Sequence, residues 1–291
     1  MSILTELTET HEFATLPIVV TRILELLQRD NIDVREMAKV VEADANLTKT
    51  VLKVVNSDLY SVRTESTSIQ EAILSIGMKR VSNIVLAVSI HSQFMKSSDK
   101  NTKQLIKTIS RHASCTGVIS KYIAFKLKKN YNEFAFIGGF MHDIGKLAML
   151  RYDRDKYRAC LDIINNKSVD DCQAEIEIYG VDHLEVGAVL ARLWNLPIEL
   201  ENIIAFHNTP EKIAENNELI AVVRFADLLS EMSGAGLNED LNSINFESES
   251  SWQIIKSNAD PTLELDLEQI TFEMKKGIKA SKEFLEIISE A

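Results

Sequence analysis

Apolar residues recur along this chain at steps of three and four, the repeat of a helix with one buried face. Ile18, Val19, Ile23, Leu26 and Leu27 form such a face just after Pro17, a residue suited to a helix start. Val34, Met37, Ala38 and Val41 continue the stripe behind Asp33 and Glu36, which are spaced as a capping box. Leu47, Val51, Leu52 and Val55 predict a third helix with Asn46 as its cap. Ser68 and Glu71 form another capping box, and Gly77 is placed to end that short helix. Met78 to about Phe94 is apolar on most sides and predicts a buried helix.

The polar run between Met95 and Thr102 marks a lobe boundary. Beyond it, Leu105, Ile109, His112, Thr116, Ile119 and Ile123 alternate steps of four and three along one long helix. Asn132 begins the next, carrying Phe134, Ile137, Met141 and His142. Further helices are predicted near 153–165, 168–178, 182–194, 197–207 and 215–231. Residues 233–251 are rich in Gly, Asn, Ser and Glu and read as a mobile connection. A last amphipathic helix runs from about Asp266 to Ile288 on Leu267, Ile270, Met274, Ile278 and Phe284. The expected fold class is all-α.

Composition narrows the function. Only 10 Gly and 4 Pro in 291 residues are too few turn formers for a sandwich or barrel of short strands. The 43 acidic residues outnumber the 32 basic ones, leaving a net charge of −11 that repels polyanions. A nucleic-acid-binding reading rests only on Lys126, Lys128 and Lys129, which fit a solvated helix end better. No nucleic-acid partner and no membrane span are expected, since no apolar run approaches the ~20 residues a bilayer requires. The N-terminus lacks the features of a secretory signal, and Cys115, Cys160 and Cys172 show no disulfide or CxxC spacing. Both point to the cytoplasm.

The chemistry concentrates in Met141-His142-Asp143-Ile144-Gly145-Lys146. Adjacent His and Asp offer an imidazole nitrogen and a carboxylate oxygen, ligands that divalent metals accept. On one helix the two side chains diverge by about 100°, so both reach an ion only if it lies between them. Periodicity supplies partners. His112 and Asp227 fall on the apolar faces of their helices, His183 sits in a first turn behind Asp182, and His207 ends a helix. Each has a plainer reading: a hydrogen-bonded core His112, an Asp227 paired with Arg224, an exposed His183. Together they suggest a shared cation, because buried polar groups require partners.

The order His112, His142-Asp143, His183, His207, Asp227 resembles the HD superfamily of metal-dependent phosphohydrolases, and more specifically the HDOD (HD-related output domain) family of bacterial signal transduction. The resemblance covers about residues 13 to 231. It rests on Leu16-Pro17, Val40-Val41-Glu42-Ala43-Asp44, Val54-Val55-Asn56-Ser57 with Tyr60, and Ala72-Ile73 before Ile76-Gly77. It continues through Gly138-Gly139-Phe140-Met141-His142-Asp143-Ile144-Gly145-Lys146, Tyr179-Gly180-Val181-Asp182-His183, Trp194-Asn195-Leu196-Pro197, His207-Asn208-Thr209-Pro210 and Ala226-Asp227. It implies an HD-like helical core with an N-terminal helical lobe at 1–99, a metal-site lobe at 100–232, and a linker with C-terminal helix at 233–291.

Two departures stand out. The family often has a His-His pair where this chain has His207-Asn208, and asparagine is a poor transition-metal ligand. No Gly precedes a Tyr, so the Gly-Tyr-Pro of related cyclic-di-GMP phosphodiesterases is absent and that activity is not expected. The resemblance implies a regulatory module acting through a signalling protein partner or a small phosphorylated ligand. The alternative it implies is a metal-dependent phosphohydrolase. There His112, His142, Asp143 and Asp227 would hold one divalent metal (Fe, Mn, Zn, Ni or Mg), and His183 and His207 would be able to hold a second. In the enzymatic reading Asp143 and Lys146 carry catalysis, Lys146 meeting a phosphate oxygen, although an exposed lysine is its plainer reading.

Overall fold

The structure, a computed structural model, describes residues 2–9, 16–27, 29, 31–60, 62–96, 99–167, 169–215, 217–236, 245–263 and 265–290. Among them every regular element is helical, as the periodicity predicts. The chain begins with α1 (Ile3–Glu9), which packs on the later helix His183–Leu193, and continues with α2 (Ile18–Leu27), α3 (Val34–Glu42), α4 (Ala45–Val55), α5 (Ile69–Ile76) and α6 (Met78–Met95). Then follow α7 (Lys100–Lys126), α8 (Asn132–Met141), α9 (Ile144–Tyr152), α10 (Arg154–Lys167), α11 (Asp171–Tyr179), α12 (His183–Leu193), α13 (Ile198–Phe206) and α14 (Asn217–Ser230). A π-helical turn (Glu231–Ala235) closes α14, and α15 (Ser250–Asn258) and α16 (Leu267–Ser289) complete the chain.

Local sequence explains the boundaries. Asp33, Ser68, Asp99, Asp170, Asp182 and Asp266 each accept a backbone N–H from the first turn of the helix they precede. The cap of α4 is Asp44, which takes the N–H groups of Asn46 and Leu47, and not Asn46 as the pattern suggested. Gly77 ends α5 at φ 91°, a conformation costly for any residue with a Cβ. Two helices escaped the sequence reading. One is α1, whose Ile3 and Leu7 are buried. The other is α15, whose Trp252 is 1 % exposed and stacks on Phe225 at 4.9 Å between ring centres. The expected connection at 233–251 is therefore shorter; its residues 237–244 lie outside the described ones, as do Ser97 and Ser98 at the lobe boundary.

The long α7 spans about 40 Å, with α8, α14 and α16 packed around it. Glycines let α7 and α8 approach closely: a Cβ on Gly117 would lie 2.8 Å from the Phe136 carbonyl oxygen. A Cβ on Gly139 would lie 2.8 Å from Gly117 Cα. That contact brings the middle of α7 against the end of α8, where the sequence concentrates its chemistry. Helix α16 touches α4, α6 and α7, and seats Phe284 edge-on against Phe136 and Phe140. Its apolar stripe is thus core. Among the described residues no helix is long and apolar enough to cross a membrane.

Candidate metal centre

His142 is not inside a helix. It caps the end of α8, and Asp143 (φ −96°, ψ 19°) starts α9, so the two side chains project from a break between helices. The two side chains therefore do not diverge by about 100° as on one helix, and both face the same point. His112 reaches it from the middle of α7, His183 from the first position of α12, His207 from the end of α13, and Asp227 from α14. All six side chains gather in one buried centre, between 0 and 6 % exposed.

The contacts fall into two linked groups. His112 Nε2 lies 2.9 Å from Asp227 Oδ1 and 3.2 Å from His142 Nε2. His142 Nε2 lies 3.4 Å from Asp143 Oδ2, and Asp143 Oδ1 lies 3.4 Å from His183 Nε2 and 3.8 Å from His207 Nε2. Asp143 therefore links the His112–His142–Asp227 group to His183 and His207, and the donor atoms of His142, Asp143 and His207 themselves lie within 4.8 Å of one another.

The opposite ring nitrogens are all occupied by acceptors. His142 Nδ1 donates to the Gly139 carbonyl at 2.7 Å and His207 Nδ1 to the Ile204 carbonyl at 3.2 Å. His183 Nδ1 lies 2.7 Å from Glu175 Oε2, and His112 Nδ1 lies 3.3 Å from Glu231 Oε1. A carbonyl cannot donate, so the proton sits on Nδ1 and the Nε2 lone pair points inward, the tautomer a metal ligand requires. Asp143 Oδ1 and His183 Nε2 are buried with no hydrogen-bond partner among the described residues. A cation between them would satisfy both, so these residues fit a divalent ion of the borderline type that accepts imidazole and carboxylate together.

Electrostatics agree. The carboxylates of Asp143, Asp171, Glu175, Asp227 and Glu231 surround the rings, while Lys146 and Arg224 supply the fixed positive charge. Burial opposes a charged His142, but Asp143 and Asp227 outweigh it and raise its pKa to about 10. Burial likewise opposes a charged His183, yet Glu175 and Asp171 push its pKa well above the usual imidazole range. His207, buried beside His142, is driven the other way and stays neutral. Without a metal the centre takes up protons where a metal would sit, so metal binding releases them.

Lys146 is neither exposed nor open to a ligand. It is buried in α9, its Nζ 3.0 Å from Asp143 Oδ2 and 2.5 Å from Asp171 Oδ2. Arg224 pairs with Asp227 as the plainer reading held, at 2.8 Å, while Oδ1 of the same carboxylate faces His112. Asn208, at the position of the family's second histidine, accepts from Arg224 at 2.8 Å. Lys126 and Lys129 are taken up by Glu273 and Glu218, at 2.6 and 2.8 Å.

Glu175, Asp171 and Glu231 escaped the sequence reading. Their signal was present: Asp171–Glu175 and Asp227–Glu231 are like charges four residues apart on one helix face, a spacing that destabilises unless something positive sits nearby.

The profile of the HDOD domain matches residues 13–210. An uncharacterized protein of Treponema pallidum (strain Nichols) is 26 % identical over 219 residues, covering 73 % of this chain. The chain matches 41 % of that relative's length. Among solved structures, an HDOD domain protein of unknown function from Geobacter sulfurreducens superposes with a TM-score of 0.80 at 22 % identity, over 98 % of this chain and 97 % of its own. A candidate phosphohydrolase from Shewanella amazonensis SB2B gives 0.70 at 21 %, over 97 % of both chains. A candidate signal-transduction protein from Marinobacter aquaeolei VT8 gives 0.68 at 17 %, over 94 % of this chain and 59 % of its own. At these identities the likeness is one of fold.

Proposed function

The chain belongs to the HDOD family, and on that footing we propose that it is a regulatory module in signal transduction, acting by binding a protein partner or a small ligand. The observation that carries this is the closure of the metal centre. Its six donors are between 0 and 6 % exposed. The cavity beside it, lined by Lys146, Asp171 and Glu175, has a volume of about 10 Å³, the space of one water. A phosphoester needs both an open coordination position and a path to it. Here α7, α9, α12 and α14 close over the ring nitrogens, and Lys146 is held by two carboxylates of its own.

In this reading His112, His142, Asp143 and Asp227 hold a divalent metal, with His183 and His207 on the far side of Asp143. The ion supplies positive charge that binds four helices at one point. The rings are oriented by Gly139, Ile204, Glu175 and Glu231, and the lobes are arranged around a fixed centre. With Cys115, Cys160 and Cys172 all free thiols, we place the protein in a reducing compartment, the cytoplasm.

A second reading, a metal-dependent phosphohydrolase, draws on one observation: four Nε2 atoms and Asp143 Oδ1 converge as a catalytic site requires. One experiment separates the two. Protein purified without oxygen is assayed for metal content, melting temperature and hydrolysis of a phosphoester and nucleotide panel, beside His142→Ala. The regulatory reading expects bound metal, a melting temperature that falls on chelation, and no turnover. Turnover that requires Asp143 and added Mn²⁺ or Fe²⁺ would overturn it.

A further inference from the structure

A second concavity lies away from the metal centre, where the two lobes meet. It has a volume of about 350 Å³. One wall is α2 and α6 of the first lobe; the other is the start of α8 and the turn into α13. Its depth is apolar, faced by Val20, Leu24, Leu86 and Leu200, with Phe134 beside them. Apolar cavities of this size are the usual seats of small ligands, and an apolar chain entering one releases poorly bonded water.

The rim differs in chemistry. Three helices begin there, α6 after Gly77, α8 after Tyr131 and α13 after Pro197, and none has a side-chain cap on its first N–H groups. The first turns of α6 and α8 contribute Lys79, Glu133 and Phe134 to the cavity lining, and Pro197, just before α13, also lines it. The opening thus lies near the positive ends of three helix dipoles. Lys79 is exposed and makes no ion pair among the described residues, while Glu133 pairs through Oε1 with Arg80 at 2.7 Å and its Oε2 is buried, away from solvent. Asn83 and Asn195 also line the cavity, and the Asn83 amide donates to the Glu133 carbonyl at 3.0 Å.

We propose that this interlobe cavity binds a medium-chain amphiphile with an anionic head, its chain between α2 and α6 and its head at Lys79. At about 30 Å³ per water-sized group, the cavity takes roughly a dozen heavy atoms. A ligand there touches both lobes at once, so its occupancy bears on how they pack. Its use as the module's input rests on the regulatory reading above; its ligand chemistry does not.

The test is titration calorimetry of the full chain with decanoate, decylamine and decanol, each below its aggregation threshold, on wild type, Lys79→Glu and Leu24→Trp. The proposal expects saturable one-to-one binding of decanoate, about tenfold tighter than decylamine. It expects that affinity to fall about tenfold in Lys79→Glu and to vanish when a Trp ring fills the cavity. Absence of saturable decanoate binding to wild type overturns the proposal, whatever a partner protein does at this face. Equal binding by wild type and Lys79→Glu, or tighter binding of decylamine, overturns it as well. Lys79 is on the surface, so that variant decides the matter even if Leu24→Trp does not fold. None of these outcomes depends on the metal or on turnover.

Discussion

Gly145 is where the fold and the metal centre are most tightly coupled, and alanine there has a calculable consequence. Helix α9 lies against α12 so closely that a Cβ on Gly145 would sit 2.0 Å from the His183 carbonyl oxygen and 2.9 Å from the Gly187 nitrogen. These are backbone atoms, which cannot rotate aside. Carbon–oxygen contacts settle near 3.3 Å, so α12 must retreat by about 1 Å. Overpacking of this kind costs about 1–3 kcal/mol, while alanine in a helix interior returns up to about 1 kcal/mol. For a displacement of backbone the upper part of that range applies, so Gly145→Ala is expected to lose about 2 kcal/mol and about 5 °C of melting temperature.

His183 moves with α12, opening its 3.4 Å approach to Asp143 Oδ1, so metal affinity falls too. Gly277 is the control. It lies in the 23-residue α16, and a Cβ there meets nothing closer than Val118 Cγ1 at 3.4 Å, ordinary contact. The same substitution there is expected to stabilise by up to about 1 kcal/mol. Urea unfolding and calorimetry of both variants, with and without chelator, read the two signs. If Gly145→Ala unfolds at the wild-type midpoint, or shifts in the same direction as Gly277→Ala, the steric reasoning is wrong.

Other consequences follow from single contacts. Burial lowers the His91 pKa from 6.5 to about 4, with Nδ1 held by Ser110 at 3.0 Å. The unfolded chain then binds a proton that the native state refuses, so this contribution is complete above pH 6.5 and is lost as pH falls toward 4. Unfolding free energies at pH 7.5 and 5 are expected to differ by about 2 kcal/mol from this residue; a His91→Gln variant with the same pH dependence as wild type would refute it. Glu175→Gln removes the carboxylate from His183 Nδ1 and is expected to weaken metal binding about 10- to 100-fold in a competition titration, whereas unchanged affinity would deny Glu175 that role.

Much of this architecture is legible from residue pattern because helix formation here is local. The stripe Leu105, Ile109, His112, Thr116 already placed His112 inward, and it is 1 % exposed. The break at His142–Asp143 was not legible: Asp143 occupies the N-cap of α9 but makes no side-chain capping bond, its carboxylate being turned to Lys146 and the histidines. Helix α15 was hidden because a Ser- and Glu-rich stretch conceals its two inward anchors, Trp252 and Ile255, and their partners in α14 are distant in sequence. The fate of Lys146 was equally non-local, since Asp171 reaches it from another helix. The carboxylates behind the histidines share this character; charge spacing hints at them, and only packing assigns each to a ring.

The seating of Phe284 against Phe136 and Phe140 also sets a timetable. The chain emerges from the ribosome N-terminus first, at about 5–20 residues per second, so roughly sixty residues and several seconds separate the end of α14 from the arrival of α16. Until then the phenylalanine surface of α8 is uncovered in a nascent chain that has already made every histidine of the metal centre. That interval is when the apolar face of α8 is open to a chaperone, and when a metal, if one binds, would first find its ligands together.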